Sequence, residues 1–418
     1  MPPLLVALLC LQAAPAVQDR SDELPVDAFF KDNLKFRTKN GEYEGYLDGF
    51  ARIHARAIFD RPHDTVEPLR TLPNSVVIRQ IRLDHGATLY HDWGYRVSLD
   101  FATGTPNQST GAAASNSSVA LRDAWVEWKH YREFTIRFGQ FFEPVSAEEV
   151  SGARWLEFAE RSPMNRIAPG RDLGLEVYGS LLDDGLSYYV MASHGQSLLQ
   201  DQGRSVTDTN DKKEIAGLAF ARPFSFLRLG VGGSFGEVNT LDASTFDLVT
   251  AELSILYLDS TAGAFQGRRW RADANLLVSA GPASFRAEVL GRGDHLAAGM
   301  GRDELRTLGW YAAATSYLSG EDKIPDVRVT PIHDWGAVEL GARVGRLKVR
   351  NAFDSGIALP AENAEAVTAY TLSATWWYAR FMRVTVDLDR EVFSDPLQFD
   401  RHHARALTGL VARVQLDF

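Results

Sequence analysis

The chain of 418 residues contains a single cysteine, Cys10, which excludes a disulfide framework and a thiolate metal cluster. Lysine is scarce: only eight of the 44 cationic side chains are lysine, and the rest are arginine. Excess positive charge is missing as well. The formal charge is −10 and the isoelectric point near 5.5, which argues against a broad phosphate-binding surface and so against nucleic acid as a partner. No run of about 18 apolar residues follows the first segment, so no helix is expected to cross a membrane. A β-barrel span stays open, because its signal is alternation and not the mean hydropathy, here −0.18.

The first residues point to a compartment. Met1 to Val17 carry no charged side chain, Leu4 to Leu11 is apolar, and Ala14-Pro15-Ala16 has the small-x-small form of a cleavage site before a polar stretch. A removable secretory signal over residues 1–16 is the reading, although it lacks the usual basic start; a buried helix is the alternative. Cys10 is then ordinary leader sequence. Residues 17–42 read as a polar segment leading into a hairpin, and 43–418 as the body of the fold.

That body is written in period two. Ala51, Ile53, Ala55, Ala57 and Phe59 alternate with Phe50, Arg52, His54 and Arg56; Tyr95, Val97, Leu99 and Phe101 alternate with Arg96, Ser98 and Asp100. The pattern returns around Arg137, Arg228, Arg271, Arg286 and Arg343, in segments of roughly ten residues separated by short turns such as Asp183-Asp184-Gly185 or long polar stretches such as Thr103 to Ser118 and Gln196 to Lys213. No sustained helical period competes. The chain closes on Leu410, Ala412, Val414, Leu416 and Phe418 against Val411, Arg413, Gln415 and Asp417.

A soluble β-sandwich also alternates, so the polar face decides. Here it is repeatedly charged, with Arg52, Arg56, Arg82, Arg96, Arg137, Arg228, Arg271, Arg286 and Arg343 on it. A rigid, permanently ionised guanidinium suits a confined passage that guides anions. Asp100, Asp123, Glu127, Asp273, Glu288 and Glu339 share that face, and paired with the arginines they would instead set up a transverse field in a poorly selective pore. The apolar face carries Tyr95, Phe101, Trp128, Phe134 and Trp270 near segment ends, as an interfacial girdle would.

Several runs resemble a known family. Gly139-Gln140-Phe141-Phe142-Glu143-Pro144-Val145-Ser146, then Phe158-Ala159-Glu160-Arg161-Ser162 and Ala168-Pro169-Gly170-Arg171-Asp172-Leu173-Gly174, are similar in order and spacing to the phosphate-selective porin O/P family. Leu121 to Trp125 upstream, Gly309-Trp310-Tyr311, Leu318 to Glu321 and Trp335 to Leu340 downstream resemble its strands, and Leu34 to Arg37 with Asn40-Gly41 its first hairpin. The aromatic carboxyl terminus is likewise similar to bacterial outer-membrane barrels.

The resemblance implies an all-β fold: a transmembrane antiparallel barrel of sixteen strands in the bacterial outer membrane, assembled as a homotrimer in lipid, with a loop folded into the lumen. From the sequence that loop is 142–169. It contains helix-like stretches at Ser146 to Val150 and Trp155 to Arg161, and mixes Glu143, Glu157 and Glu160 with Arg154, Arg161 and Arg166. An extracellular lid is its alternative reading. The implied function is a porin for passive diffusion of small hydrophilic solutes, anions such as phosphate among them, and neutral solutes too. The scarcity of lysine and the charge of −10 count against strict phosphate specificity. Two other readings stand: a non-conducting structural or adhesive barrel, and a secreted soluble β-domain that binds carbohydrate.

Other apparent motifs fail on context. Gly232-Gly233-Ser234-Phe235-Gly236 matches a nucleophile elbow, but no strand-to-helix turn is expected there. Its glycines fit better as room inside a barrel. His402-His403 beside Asp400 reads as a solvated loop and not a metal site, because adjacent side chains point to opposite strand faces. No catalytic group, cofactor or metal is called for by any of these patterns.

Overall fold

The computed structural model describes residues 26–60, 74–102, 119–195, 211–238, 246–260, 265–399 and 402–418. The expected signal over 1–16 lies outside them, as do Thr103 to Ser118 and most of Gln196 to Lys213.

An N-terminal hairpin, β1 (Val26–Lys31) and β2 (Asn33–Thr38), precedes the barrel. The barrel begins with β3 (Tyr43–Ile58), β4 (Ser75–Leu89), β5 (Trp93–Asp100), β6 (Ala120–Tyr131), β7 (Phe134–Phe142), β8 (Arg171–Leu181), β9 (Leu186–Ser193), β10 (Glu214–Phe224) and β11 (Leu227–Val238). Two short strands, β12 (Leu248–Val249) and β13 (Leu256–Leu258), form a separate small hairpin. The wall continues with β14 (Phe265–Ala280), β15 (Ala283–Leu296), β16 (Glu304–Tyr317), β17 (Ala337–Arg350), β18 (Ala366–Ala379), β19 (Met382–Phe399) and β20 (His402–Asp417). Each wall strand pairs antiparallel with the next, and β20 pairs with β3 from Gly409↔Ile58 to Asp417↔Phe50. The sheet closes on itself with sixteen strands.

Closure removes every edge, so the backbone donors and acceptors of the wall are satisfied within it. At about 3.3 Å per residue, a 16-residue strand such as β14 tilted by ~45° rises roughly 37 Å, more than the ~25 Å apolar band of such barrels. Alternation does the rest. Along β3, Phe50, Arg52, His54, Arg56 and Ile58 are buried within the barrel while Ile53 lies on the exposed outer face.

Six connections at one end are tight turns, at 90–92, 132–133, 182–185, 225–226, 281–282 and 380–381. Leu182, Asp183 and Asp184 all take positive φ in theirs. The C-terminus lies at this end, where Gly49 and Phe418 exchange two backbone hydrogen bonds of 2.8 and 3.0 Å. Below that point β2 takes over the row of β20, pairing Leu34–Arg37 with Glu44–Leu47, and Gly41 closes the following turn at φ 73°.

The seventh connection at this end, 318–336, departs from the expected pattern of short turns here and long loops opposite. Leu318 to Glu321 is irregular chain and not strand. Pro325 and Pro331 remove ladder donors, and the segment's charged side chains are engaged under the barrel instead: Arg328 reaches Asp48 (3.1 Å) and Asp417 (3.7 Å), and Ser151 donates to Asp326 (2.9 Å). His402 and His403, read from the sequence as loop, open β20.

Candidate functional site: the lumen and its inner loop

The loop 143–170 runs inside the barrel. Its first turn is the helix α1 (Ala147–Val150), capped by Ser146, whose hydroxyl accepts from the Glu149 amide and donates to Glu288 at 2.6 Å. Short 3-10 turns follow at Ala153–Trp155 and Pro163–Ile167. The helix expected over Trp155 to Arg161 does not form. Its backbone groups bond to wall side chains instead: Arg413 donates to the carbonyls of Leu156 (3.0 Å) and Phe158 (2.7 Å), Arg343 to that of Glu160 (2.9 Å), and the Ala159 amide donates to Asp387 (2.7 Å). A backbone satisfied from outside has no need of its own helical ladder.

Glycines on the inner wall make room for this loop. A Cβ at Gly232 would run into the Val145 carbonyl, and one at Gly309 would lie 2.8 Å from the Met164 Cα. Around these contacts an apolar core fills part of the lumen. Val145, Phe158, Met164 and Ile167 pack with Phe246, Leu253, Ile255 and Tyr257 of segment 246–260, and with wall residues such as Leu290, Leu347 and Val411. Loop 351–365 joins through Ile357 and through an Ala364 amide bond to the Tyr257 carbonyl, 2.8 Å. The sequence reading missed segment 246–260; its apolar density, from Phe246 to Leu258, is the signal that separates it from a solvated loop.

The nine arginines singled out from the sequence therefore divide. Arg52 donates to the Ala153 carbonyl (3.3 Å) and to Gln80, Arg56 to the Glu252 carbonyl (2.9 Å), and Arg343 to Glu252 (2.7 Å). Arg271 pairs with Glu214 and lies 3.8 Å from Glu143, and Arg286 lies 3.3 Å from Glu157. These five hold internal segments to the wall. Arg228 stands over the Phe220 ring at 4.8 Å. Only Arg82, Arg96 and Arg137 line the open cavity beside the loop.

That cavity, about 390 Å³, lies between the inner loop and the β4–β10 wall, and Arg154 and Arg171 add to its cationic lining against Asp84, Asp123 and Glu176. Arg96 pairs with Asp84 at 3.1 Å yet keeps 34% of its side chain exposed; Arg171 pairs with Asp123 at 2.7 Å, and Arg137 with Glu176. Arg82 shares Asp100 with Arg122. Rings alternate with the guanidinium groups: Arg171 stacks 3.7 Å from the Phe142 centroid, Arg137 4.3 Å from Phe141 and 4.9 Å from Tyr178. Arg171 escaped the sequence reading, although it stands in the quoted family run.

The loop's charged residues are fixed in place. Arg154 binds both oxygens of Asp48 (2.6 and 3.1 Å), Arg161 donates to the carbonyls of Glu148, Glu149 and Ser151, and Arg166 to that of Thr250 (3.0 Å). Burial and the neighbouring Glu214 carboxylate push Glu143 well above the usual carboxylate range. Burial opposes the charge on Glu160 too, but Arg79 at 2.8 Å, with His54 and Arg52, holds it well below that range.

No helix among the described residues is long and apolar enough to cross a membrane; the strands form the crossing. A closed antiparallel barrel with an apolar exterior, a charged interior and tight turns at six of the seven connections of one end defines an outer-membrane barrel of the porin class. Residues 69–237 match the model of the phosphate-selective porin O and P family. Porin O of Pseudomonas aeruginosa is 21% identical over 179 residues, 42% of this chain; the match spans 37% of that relative's length. In fold the chain resembles the trimer form of OmpT of Vibrio cholerae (10% identity, 90% of this chain and 99% of that one, TM-score 0.54). It also resembles the outer membrane channel DcaP of Acinetobacter baumannii (13%, 92% and 99%, 0.54) and Salmonella typhi OmpF solved with daunomycin (12%, 94% and 100%, 0.53). The protein is located in the bacterial outer membrane, so the tight turns and the C-terminus face the periplasm.

Proposed function

We propose that the protein is an outer-membrane channel for passive diffusion of small hydrophilic solutes, with a modest preference for anions. The observation that carries this reading is the cavity beside the inner loop, whose lining has five arginines against three carboxylates. Cations concentrated in a low-dielectric passage lower the barrier for anions. Each of Arg82, Arg96, Arg137, Arg154 and Arg171 also has a carboxylate within ion-pair distance, which keeps the preference modest; phosphate passes as one anion among several. Arg52, Arg56, Arg271, Arg286 and Arg343 act in this scheme as anchors of the inner segments, and Glu143, Glu157, Glu160, Arg161 and Arg166 keep the loop in place. The apolar exterior meets lipid, and a homotrimer is the proposed assembly, on the family likeness and the trimeric form of the OmpT neighbour.

The test is a planar-bilayer recording with a reversal potential across a KCl gradient, followed by phosphate titration. Stable steps with a reversal on the anion side support the reading, and a cation-side reversal overturns its selectivity. A second reading, a plugged structural barrel, is favoured by the apolar core inside the lumen. Absence of conductance from folded trimers would select it.

A further inference from the structure

The cavity below the inner loop has a composition that simple anion guidance does not require. Its far wall is aromatic: Tyr189 stacks on Tyr178 at 5.6 Å with 12° between planes and meets the edge of Phe220 at 6.4 Å. Tyr189 and Phe220 line the cavity together with Phe142 and Trp155 of the inner loop region. Arg137 stands beside these rings, over Tyr178 at 4.9 Å, and Arg96 lines the same cavity. Arg96 is the most exposed of the cationic set, with a third of its side chain open; its Nη2 pairs with Asp84 at 3.1 Å and its buried Nε–H has no hydrogen-bond partner.

An inorganic anion gains little from such a site. It is strongly hydrated, and aromatic faces cannot replace the water it would shed. An anion attached to a flat ring gains twice: the ring stacks against Tyr189, Phe220 or an Arg plane, and the carboxylate takes a charge-assisted bond from Arg96 or Arg137. A volume of about 390 Å³ lies within the range of small-ligand sites, roughly 300–1,000 Å³, and admits a single substituted ring with water.

We propose that this cavity is a binding site for small aromatic carboxylates on the periplasmic side of the inner loop. The proposal rests on the channel reading for its route of access, but the binding itself does not depend on conduction.

Benzoate, acetate, phenol and glucose are the probes. In bilayer recordings benzoate is expected to block current at a concentration about tenfold lower than acetate, with phenol and glucose weaker than benzoate. Phe220→Leu is expected to bring benzoate and acetate closer together, and Arg96→Gln to raise the half-blocking concentration of benzoate. Quenching of tryptophan fluorescence by benzoate in detergent-folded protein supplies a second readout, since Trp125 and Trp155 line the cavity. Heat-resistant migration on gels confirms that each variant is folded. Equal block by benzoate and acetate, or block by glucose or phenol as strong as by benzoate, overturns the proposal while leaving an anion-preferring channel intact. Quenching that saturates, and is lost in Arg96→Gln, without any conductance keeps the site and removes the channel reading.

Discussion

Lys323 Nζ lies 2.9 Å from Glu157 Oε1 and also pairs with Glu339, so the periplasmic connection 318–336 grips the inner loop from below. The loop is thus held from two sides, by this strap and by the arginines of the wall. Its position is a sum of ion pairs and backbone bonds, and each can be removed singly.

The strap has a pH signature. Burial opposes the charge on Glu157, but Arg286 and Lys323 outweigh it and hold the carboxyl at about 2, against an ordinary 4.5. Because the value is depressed in the folded state, the stabilisation is complete above pH 4.5 and is lost as pH falls from there through about 2. Open-channel noise in wild-type recordings should rise over that window. Glu157→Gln should show the raised noise at pH 7 and lose the dependence.

Arg413→Met should loosen the loop from the opposite side. It leaves the buried carbonyls of Leu156 and Phe158 without their donor, at about 1–3 kcal/mol for each unpaired group. A lower thermal midpoint of the folded barrel and broadened conductance levels are the expected results, measured by circular dichroism and bilayer recording.

Gly232→Val tests the close approach. A side chain there meets the Val145 carbonyl, so the loop must shift away from β11. Single-channel conductance should change even though no charge has been altered. Gly281→Ala, in an open turn with nothing within 4 Å of a Cβ, serves as the comparison; its positive φ costs about 1 kcal/mol of strain but leaves the lumen untouched.

Leu253→Asp addresses the second internal segment. Leu253 is fully buried in the luminal core, and an unpaired carboxylate there costs several kcal/mol. Release of segment 246–260 should enlarge the conductance, and limited proteolysis from the extracellular side should cut within it.

Much of the fold was legible along the chain. Ala51 to Phe59 against Phe50 to Arg56 is a strand with one lipid face because side chains alternate strictly; that Phe418 marks a closing strand came from the resemblance to outer-membrane barrels and not from alternation. The family run from Gly139 to Gly174 located the inner loop. What its helix-like stretch at Trp155 to Arg161 would do was not legible, since the donors that unwind it, Arg343 and Arg413, come from strands far along the sequence.

The same division holds for the candidate site. Alternation by itself determined which arginines are on the inner face, because period two is a local property of the extended backbone. It did not determine which of them line a passage and which anchor a loop. Arg96 and Arg343 are equivalent in pattern, yet one is a third exposed beside a cavity and the other is buried against Glu252. Only closure of the barrel decides that, because it brings the inner loop, segment 246–260 and the strap to particular walls, and an arginine's role follows from which segment arrives in front of it.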